Sequence, residues 1–507
     1  MEIHSLSKQY LKLLAESDES ELVSEVHEYF VDYLALSPFL FIVDHPVSLN
    51  NSKNLITKTL TRSTEVITSV LLSLKKVPII RYQHSSDAAR QLAESVRSTV
   101  AREAALFDFR QTNSKITILI LDRVFDPVTP LLNQWTYEAM IHELIGIRHN
   151  RVSIFGPAQT ESKDIVLSAE SDDFFKANQY SNFGEIGLAI KTLVDEFQAS
   201  SKLVEPKSVE SIQDLKKFFD NYPAFRKASG TVETHVTLMT ELSRIVREHA
   251  LLDVSEAEQQ LVCQDDHSAS LNRIRSLLTD PRVRLTDAVR LVLLYSIKYS
   301  AKKKEITSLT NALVSKGASD ETVHLIDLMQ KYANLKNSQF PNGTQSTTNS
   351  ERSNVNQVAS KAVASLTKRL VKGLKGVENI YSQHEPELVD LLNKMLRDQL
   401  REPSFPYVAT HQAIGASEAP KDVMIFVIGG ASYEEAVAVH KMNVATPGLN
   451  IYLGSTCMHN SRSFMDEVMT VMGHQLHEAQ GSQNESISRF AGFPTRSGGA
   501  VKYELLR

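Results

Sequence analysis

Acid and base groups stand close together at one place in this sequence, in Asp122-Arg123-Val124-Phe125-Asp126-Pro127-Val128-Thr129-Pro130. Asp122 and Asp126 supply carboxylates, Arg123 a fixed cation and Thr129 a hydroxyl, a set suited to general acid/base work or to anion binding. The same residues also suit a plainer purpose, a structural cluster in which Asp122 pairs with Arg123 and pins the loop by charge-assisted hydrogen bonds. Elsewhere the chemistry is sparse. His142-Glu143 lacks the second histidine of a metalloprotease helix, and no GxSxG, Walker or spaced Cys/His pattern occurs. His474 and His477 stand three apart without a partner carboxylate and read as surface residues. Cys263 and Cys457 are too few for a disulfide framework and read as buried thiols in a reducing setting.

The elements around the Asp/Arg cluster say where it must sit. Residues 116–121, ITILIL, form a continuous β-branched and aliphatic run, as expected of a strand buried on both faces. The cluster follows at its carboxyl end, where open α/β sheets bind ligands. Pro127 and Pro130 lack amide donors and stop any central ladder. From Leu131 a helix is predicted, with Leu132, Trp135, Ala139, Ile141 and Leu144 at mostly helical spacing.

Upstream, residues 11–36 carry apolar positions at helical spacing, and residues 39–43 read as a short strand after Ser37-Pro38. Residues 77–82 read as another strand between helices that end near 74 and span 88–107. Alternating strands and helices argue for a parallel sheet. Between 148 and 335 strand signals fade, and helices are predicted at 183–199, 209–219, 256–264, 268–278, 286–300 and 321–331. Pro223 is expected to interrupt the second of these. Beyond Gly230, Val232, Val236, Met239, Leu242, Ile245 and Val246 would share an apolar face, and two helices joined near Pro223 would form a projecting hairpin.

Residues 339–357 are Asn/Ser/Thr-rich and read as a flexible loop. KGLKGVENIY at 372–381 lacks the spacing of a phosphate loop. Strand signals return at 423–428 and 449–453, with helices at 433–440 and from Ser461. Gly429-Gly430 after the first of these strands is either a tight turn or an anion cradle. The late strands would complete the sheet begun by the early ones, making an α/β domain with an all-α insertion.

With 42% apolar and 23% charged residues the chain falls among soluble globular proteins, and 507 residues allow several domains. A net charge of −5 gives no broad pull on nucleic acid. No apolar run reaches the ~20 residues that span a bilayer, so membrane association is expected only through a partner.

The Asp122-to-Leu132 segment, running into Gln134-Trp135-Thr136-Tyr137 and Met140-Ile141-His142-Glu143-Leu144, resembles the signature of the SM family, the Sec/Munc-type syntaxin-binding proteins. LLAESDESELVSEVHEYFVDY, SGTVETHVTLMTELSRIV, VSEAEQQLVCQDDHS, KGLKGVENIYSQHEP and VIGGASYEEAVAV resemble further landmarks of its endosomal and trans-Golgi branch, in the same order.

The resemblance implies an arch-shaped fold. A remnant of an α/β domain 1 would cover 1–45. Domain 2 would cover 46–147 and 421–480, and a helical domain 3 would cover 148–420, with a hairpin at about 205–250 and a flexible loop at 337–357. A flexible tail would cover 481–507. Family chains begin well upstream of a segment like 1–13, so most of the first sheet is expected to be missing.

The resemblance also implies a function without chemistry. The protein would bind a syntaxin-type SNARE, template SNARE bundle assembly and regulate vesicle docking and fusion in endosomal, trans-Golgi and vacuolar transport. It would act as a monomer without a cofactor, cytoplasmic and peripheral on those membranes. By resemblance Leu11, Val23, Val26 and Glu28 line a pocket for the syntaxin amino-terminal peptide. Pro223, Phe225, Val236 and Met239 mark the templating hairpin. Asp122, Arg123, Asp126, Thr129 and Pro130 form a structural motif. The alternative is an α/β enzyme using the Asp/Arg cluster at the sheet edge.

Overall fold

A computed structural model describes residues 8–20, 22–24, 30–44, 53–109, 115–155, 162–203, 212–338, 381, 383–408 and 420–481. Its centre is a six-stranded sheet. In chain order the strands are β1 (Leu34–Ser37), β2 (Leu40–Ile42), β3 (Val77–Tyr82), β4 (Lys115–Asp122), β7 (Asp422–Ile428) and β9 (Asn450–Ser455), and across the sheet they run β1-β2-β9-β7-β4-β3. All neighbours are parallel except the β1-β2 hairpin.

The uninterrupted apolar runs are explained by two covered faces. Ile116, Ile118 and Ile120 of β4 join Met424 and Phe426 of β7 on one side, packed on the helices α2 (Lys53–Leu74) and α3 (Asp87–Arg102). Leu119 and Leu121 join Val423, Ile425 and Val427 on the other, packed on the helix Tyr433–Ala445. Successive residues alternate faces, so a strand covered on both sides has no polar position to spare.

β4 therefore has β3, its near neighbour in sequence, on one flank and β7, some three hundred residues later, on the other. Leu40–Ile42, assigned from sequence to a remnant of another domain, hydrogen-bonds in parallel to β9 of this sheet. Residues 34–37 form an edge strand where helix was expected, while α1 covers only Lys8–Ser17.

The intervening segment is mostly helical. It opens with an antiparallel hairpin of β5 (Arg151–Phe155) and β6 (Ser162–Val166), which the sequence reading missed. Helices α6 (Phe183–Leu203) and α7 (Ile212–Glu248) follow, then α8 (Leu251–Cys263), α9 (His267–Thr279), α10 (Leu285–Lys298), α11 (Lys303–Ser315) and α12 (Asp320–Ser338). The final helix, Ser461–Gly481, returns to this body, inserting Phe464, Val468 and Met472 among Leu325, Leu328 and Met329. The loop expected at 339–357, residues 372–380 of KGLKGVENIY and the tail beyond 481 lie outside the described residues.

Two expected breaks are absent. Pro223 and Gly230 both fall inside α7, which runs unbroken for 37 residues; the helix packed against it is α6, and residues 204–211 that join the two lie outside the described residues. The helix expected from Leu131 is a single 3-10 turn, Thr129–Leu131, followed by extended chain and then α4 (Tyr137–Leu144). The amide and side-chain nitrogen of Asn133 bind Glu258 at 2.9 and 3.2 Å, which takes that stretch out of the helical pattern.

Candidate functional site

At the end of β4 the carboxylates of the Asp/Arg cluster and both terminal nitrogens of Arg123 are already engaged by the protein, while Arg123 Nε is buried without a hydrogen-bond partner. Asp122 caps the short turn Arg123–Phe125, accepting from the Val124 amide at 3.1 Å and from the Ser86 hydroxyl at 2.8 Å. Its expected partner Arg123 turns elsewhere. Nη1 of Arg123 donates to both carboxylate oxygens of Glu435 at 2.9 and 2.8 Å, and Nη2 donates to the Asp126 carbonyl at 2.8 Å. The reason lies in the capping: Asp122 is held by the Val124 amide and the Ser86 hydroxyl on its own side of the turn, while Glu435 is fixed opposite by the capping box it forms with Ser432.

Asp126 is saturated in turn. It accepts from the amides of Val128, Thr129 and Glu387 and from the Thr129 hydroxyl. Burial pushes its carboxyl up, but the Arg123 and His384 charges and these hydrogen bonds hold it below the ordinary value. Thr129 and Pro130 sit in the buried 3-10 turn, with Thr129 Oγ1 2.8 Å from His384 Nε2. Arg123 and Glu435 are almost wholly buried, at 1% and 0% side-chain exposure. A carboxylate with all its acceptor sites filled and a guanidinium locked in an ion pair serve structure rather than proton transfer.

The glycine turn gives the same answer. Gly429 and Gly430, at φ +86° and +83°, both donate their amides to Thr456 Oγ1, at 3.2 and 2.9 Å. Those donors face no ligand, so the anion-cradle reading gives way to the turn. Glu143 is likewise occupied, capping the final helix through the Ser461 amide (2.9 Å) and hydroxyl.

The α6-α7 hairpin is organised by one buried histidine. His235 has Nδ1 2.8 Å from the Tyr137 hydroxyl and Nε2 3.0 Å from Asp172. With His235 fixed inward, Leu238, Leu242, Ile245 and Val246 form the buried line of α7. Val236 is turned outward, 37% exposed, and Met239 is half-buried where α7 meets α6. The sequence reading put Val236 and Leu242 on one face because a histidine does not count as apolar; the structure rotates the face toward His235. Pro223 and Phe225 lie in α7, but their side chains are outside the described set. Leu11 and Val23 are both exposed, at 39% and 49%, and Val26 and Glu28 lie outside the described residues.

Sequence reasoning missed two features. Neither cysteine is a buried thiol: Cys263 is exposed, and Cys457 is half-buried beside His459. Arg290 is buried among Glu143, Glu258 and Asp287, at 3.4, 3.0 and 2.9 Å. The only hint of that knot in the sequence is an arginine inside the apolar run of α10.

The geometry thus contains a structural motif whose carboxylates are filled by internal bonds and a two-helix arm that exposes Val236. The Sec1 family model matches residues 3–467. Vacuolar protein sorting-associated protein 45 of Homo sapiens is 42% identical over 489 residues, covering 96% of this chain and 82% of that protein. The protein of the same name from Saccharomyces cerevisiae is 32% identical, with 91% and 80% covered. Among solved structures, the SM protein Vps45 in complex with the Qa SNARE Tlg2 (1-310) superposes with a TM-score of 0.74 at 38% identity, covering 92% of this chain and 80% of that one. The Unc18–syntaxin 1 complex from Monosiga brevicollis shares the fold at 18% identity, with a TM-score of 0.67 and 92% and 81% covered. A match of this extent, carried by a sheet and helical body that superpose on both structures, leaves one assignment: the chain belongs to the Sec1 family.

Proposed function

We propose that this protein binds a syntaxin-type Qa SNARE and regulates vesicle docking and fusion in endosomal and trans-Golgi transport, templating SNARE assembly on the α6-α7 arm. The observation that carries the reading is likeness over nearly the whole chain to an SM protein solved with a Qa SNARE bound. The outward position of Val236 supports a role for the arm, since an exposed apolar position on a long helix offers a partner helix a place to pack.

Binding rather than catalysis is the activity. The candidate acid/base groups at the sheet edge are engaged in internal bonds, which argues against the enzyme alternative. Among the described residues no helix is long and apolar enough to cross a membrane, and attachment to Golgi and endosomal membranes would come through the SNARE. The protein would work there as a monomer. Leu11, Val23, Val26 and Glu28 would receive the SNARE's amino-terminal peptide.

Calorimetry with the cytosolic part of a trans-Golgi or endosomal Qa SNARE tests this. One-to-one binding that weakens when the SNARE's amino-terminal peptide is removed is the expected result. Absence of binding to any Qa SNARE of these compartments overturns it.

A further inference from the structure

Three side chains of different chemistry converge where β9 gives way to the final helix. Cys457 follows β9, His459 lies in the short strand β10 (Met458–His459), and Glu467 projects from the helix Ser461–Gly481. The sulfur, an imidazole nitrogen and a carboxylate oxygen all fall within 4.8 Å of one another. His459 Nε2 is 3.7 Å from Cys457 Sγ and 3.0 Å from Glu467 Oε2. Ligands of a tetrahedral zinc ion, bound at ~2.3 Å through sulfur and ~2.0–2.1 Å through nitrogen or oxygen, stand roughly 3.3–3.6 Å apart. The observed separations bracket that range.

The neighbouring hydrogen bonds fix which nitrogen is offered. Ser463 Oγ lies 2.9 Å from His459 Nδ1 and donates its own proton to the Asn460 carbonyl at 3.2 Å. With the hydroxyl proton on that carbonyl, Ser463 accepts from Nδ1–H, the tautomer that leaves Nε2 to hold a proton or a metal. Glu467 Oε2 is buried and lies 3.0 Å from His459 Nε2, so the two atoms can share either a proton or a metal ion.

The glycine turn is shaped to admit the imidazole. A Cβ on Gly430 would lie 2.3 Å from His459 Cδ2 and 2.6 Å from Nε2. All three groups line one pocket of about 530 Å³, with His142 and Asp466 on its wall, so a fourth ligand has room to enter.

We propose that Cys457, His459 and Glu467 form a binding site for a divalent cation of the zinc type, its fourth position open to the pocket. Mixed sulfur, nitrogen and oxygen donors select such a cation over magnesium or calcium. The competing occupant is a proton, which would make the same three residues an imidazolium ion pair.

Titration of the metal-free full-length chain separates the two. Zinc is added in competition with a chromophoric chelator, and cobalt is followed by its absorption. One equivalent of either metal is expected to bind, with a thiolate-to-cobalt charge-transfer band. Cys457→Ser should abolish that band and weaken zinc binding by roughly tenfold or more, while Cys263→Ser changes neither. His459→Ala should weaken zinc similarly; if circular dichroism shows that it fails to fold, Cys457→Ser alone decides. Zinc affinity equal in wild type and Cys457→Ser, or a cobalt band that follows Cys263 instead, overturns the proposal in favour of the proton.

Discussion

Arg123 and Glu435 are 312 residues apart in the chain and joined in the fold by two hydrogen bonds of 2.9 and 2.8 Å. One ends β4 and the other opens the helix beyond β7, so the pair ties together the two separated parts of the sheet. Removing one partner of a buried ion pair strands the other charge, at about 3–5 kcal/mol. Glu435→Ala is therefore expected to lose about that much in urea unfolding. A midpoint equal to wild type would show that the pair holds nothing together.

Asp122 acts separately. Asp122→Ala should cost about 0.5–2 kcal/mol, the usual worth of a lost cap, because Val124 and Ser86 lose their acceptor while Arg123 keeps Glu435. The double variant Asp122→Ala/Glu435→Ala then sums the single effects to within about 0.5 kcal/mol. Strong non-additivity would mean that the two carboxylates share the guanidinium after all.

The Arg290 knot predicts a pH dependence. Three carboxylates face one guanidinium, and burial pushes the Glu258 carboxyl up to about 7 despite the opposing pull of Arg290. An unfolded glutamate ionises near ~4.3, so from there to about 7 the folded state holds the extra proton. Stability from this group is full at the acid end and drains away as pH rises through that window. Thermal melting of wild type relative to Glu258→Gln should show the advantage of wild type shrinking as pH climbs. An advantage that grows with pH refutes the assignment.

For the arm, Val236→Glu is expected to leave the melting temperature within about a degree of wild type, since surface substitutions usually stay within ±0.5 kcal/mol. Capture of a SNARE helix, measured by calorimetry, should weaken roughly tenfold, about 1.4 kcal/mol. Unchanged affinity would remove Val236 from the binding surface.

What could be read from the sequence follows from which forces act locally. β4 and β7 stand out because strands covered on both faces are aliphatic or β-branched at nearly every position, and the edge strand β3 shows a shorter run of the same kind. The Asp122-to-Pro130 loop was visible as a polar island between such runs. Its partner was not, since nothing near Arg123 in sequence points to Glu435. The face of α7 was read correctly at Leu242, Ile245 and Val246 but misjudged before them, because the residue that anchors it, His235, is polar and becomes a core residue only through Tyr137 and Asp172. β5 and β6 escaped notice because a two-stranded ribbon with one open side carries only a short alternating signal. The Cys457-His459-Glu467 group was hidden because the turn and the helix that bring its members together are tertiary facts.

The strand order has a consequence for biosynthesis. A ribosome working from the amino terminus delivers β3 and β4 early, but β7, the other flank of β4, spans Asp422–Ile428 and emerges some three hundred residues later. Throughout that interval the nascent chain carries a largely apolar strand with one edge unpaired, the kind of surface that recruits chaperones or sticks to its neighbours. Any truncation of the message before codon 428 leaves that edge permanently open, so shortened products of this gene would be cleared or precipitate instead of accumulating as soluble fragments.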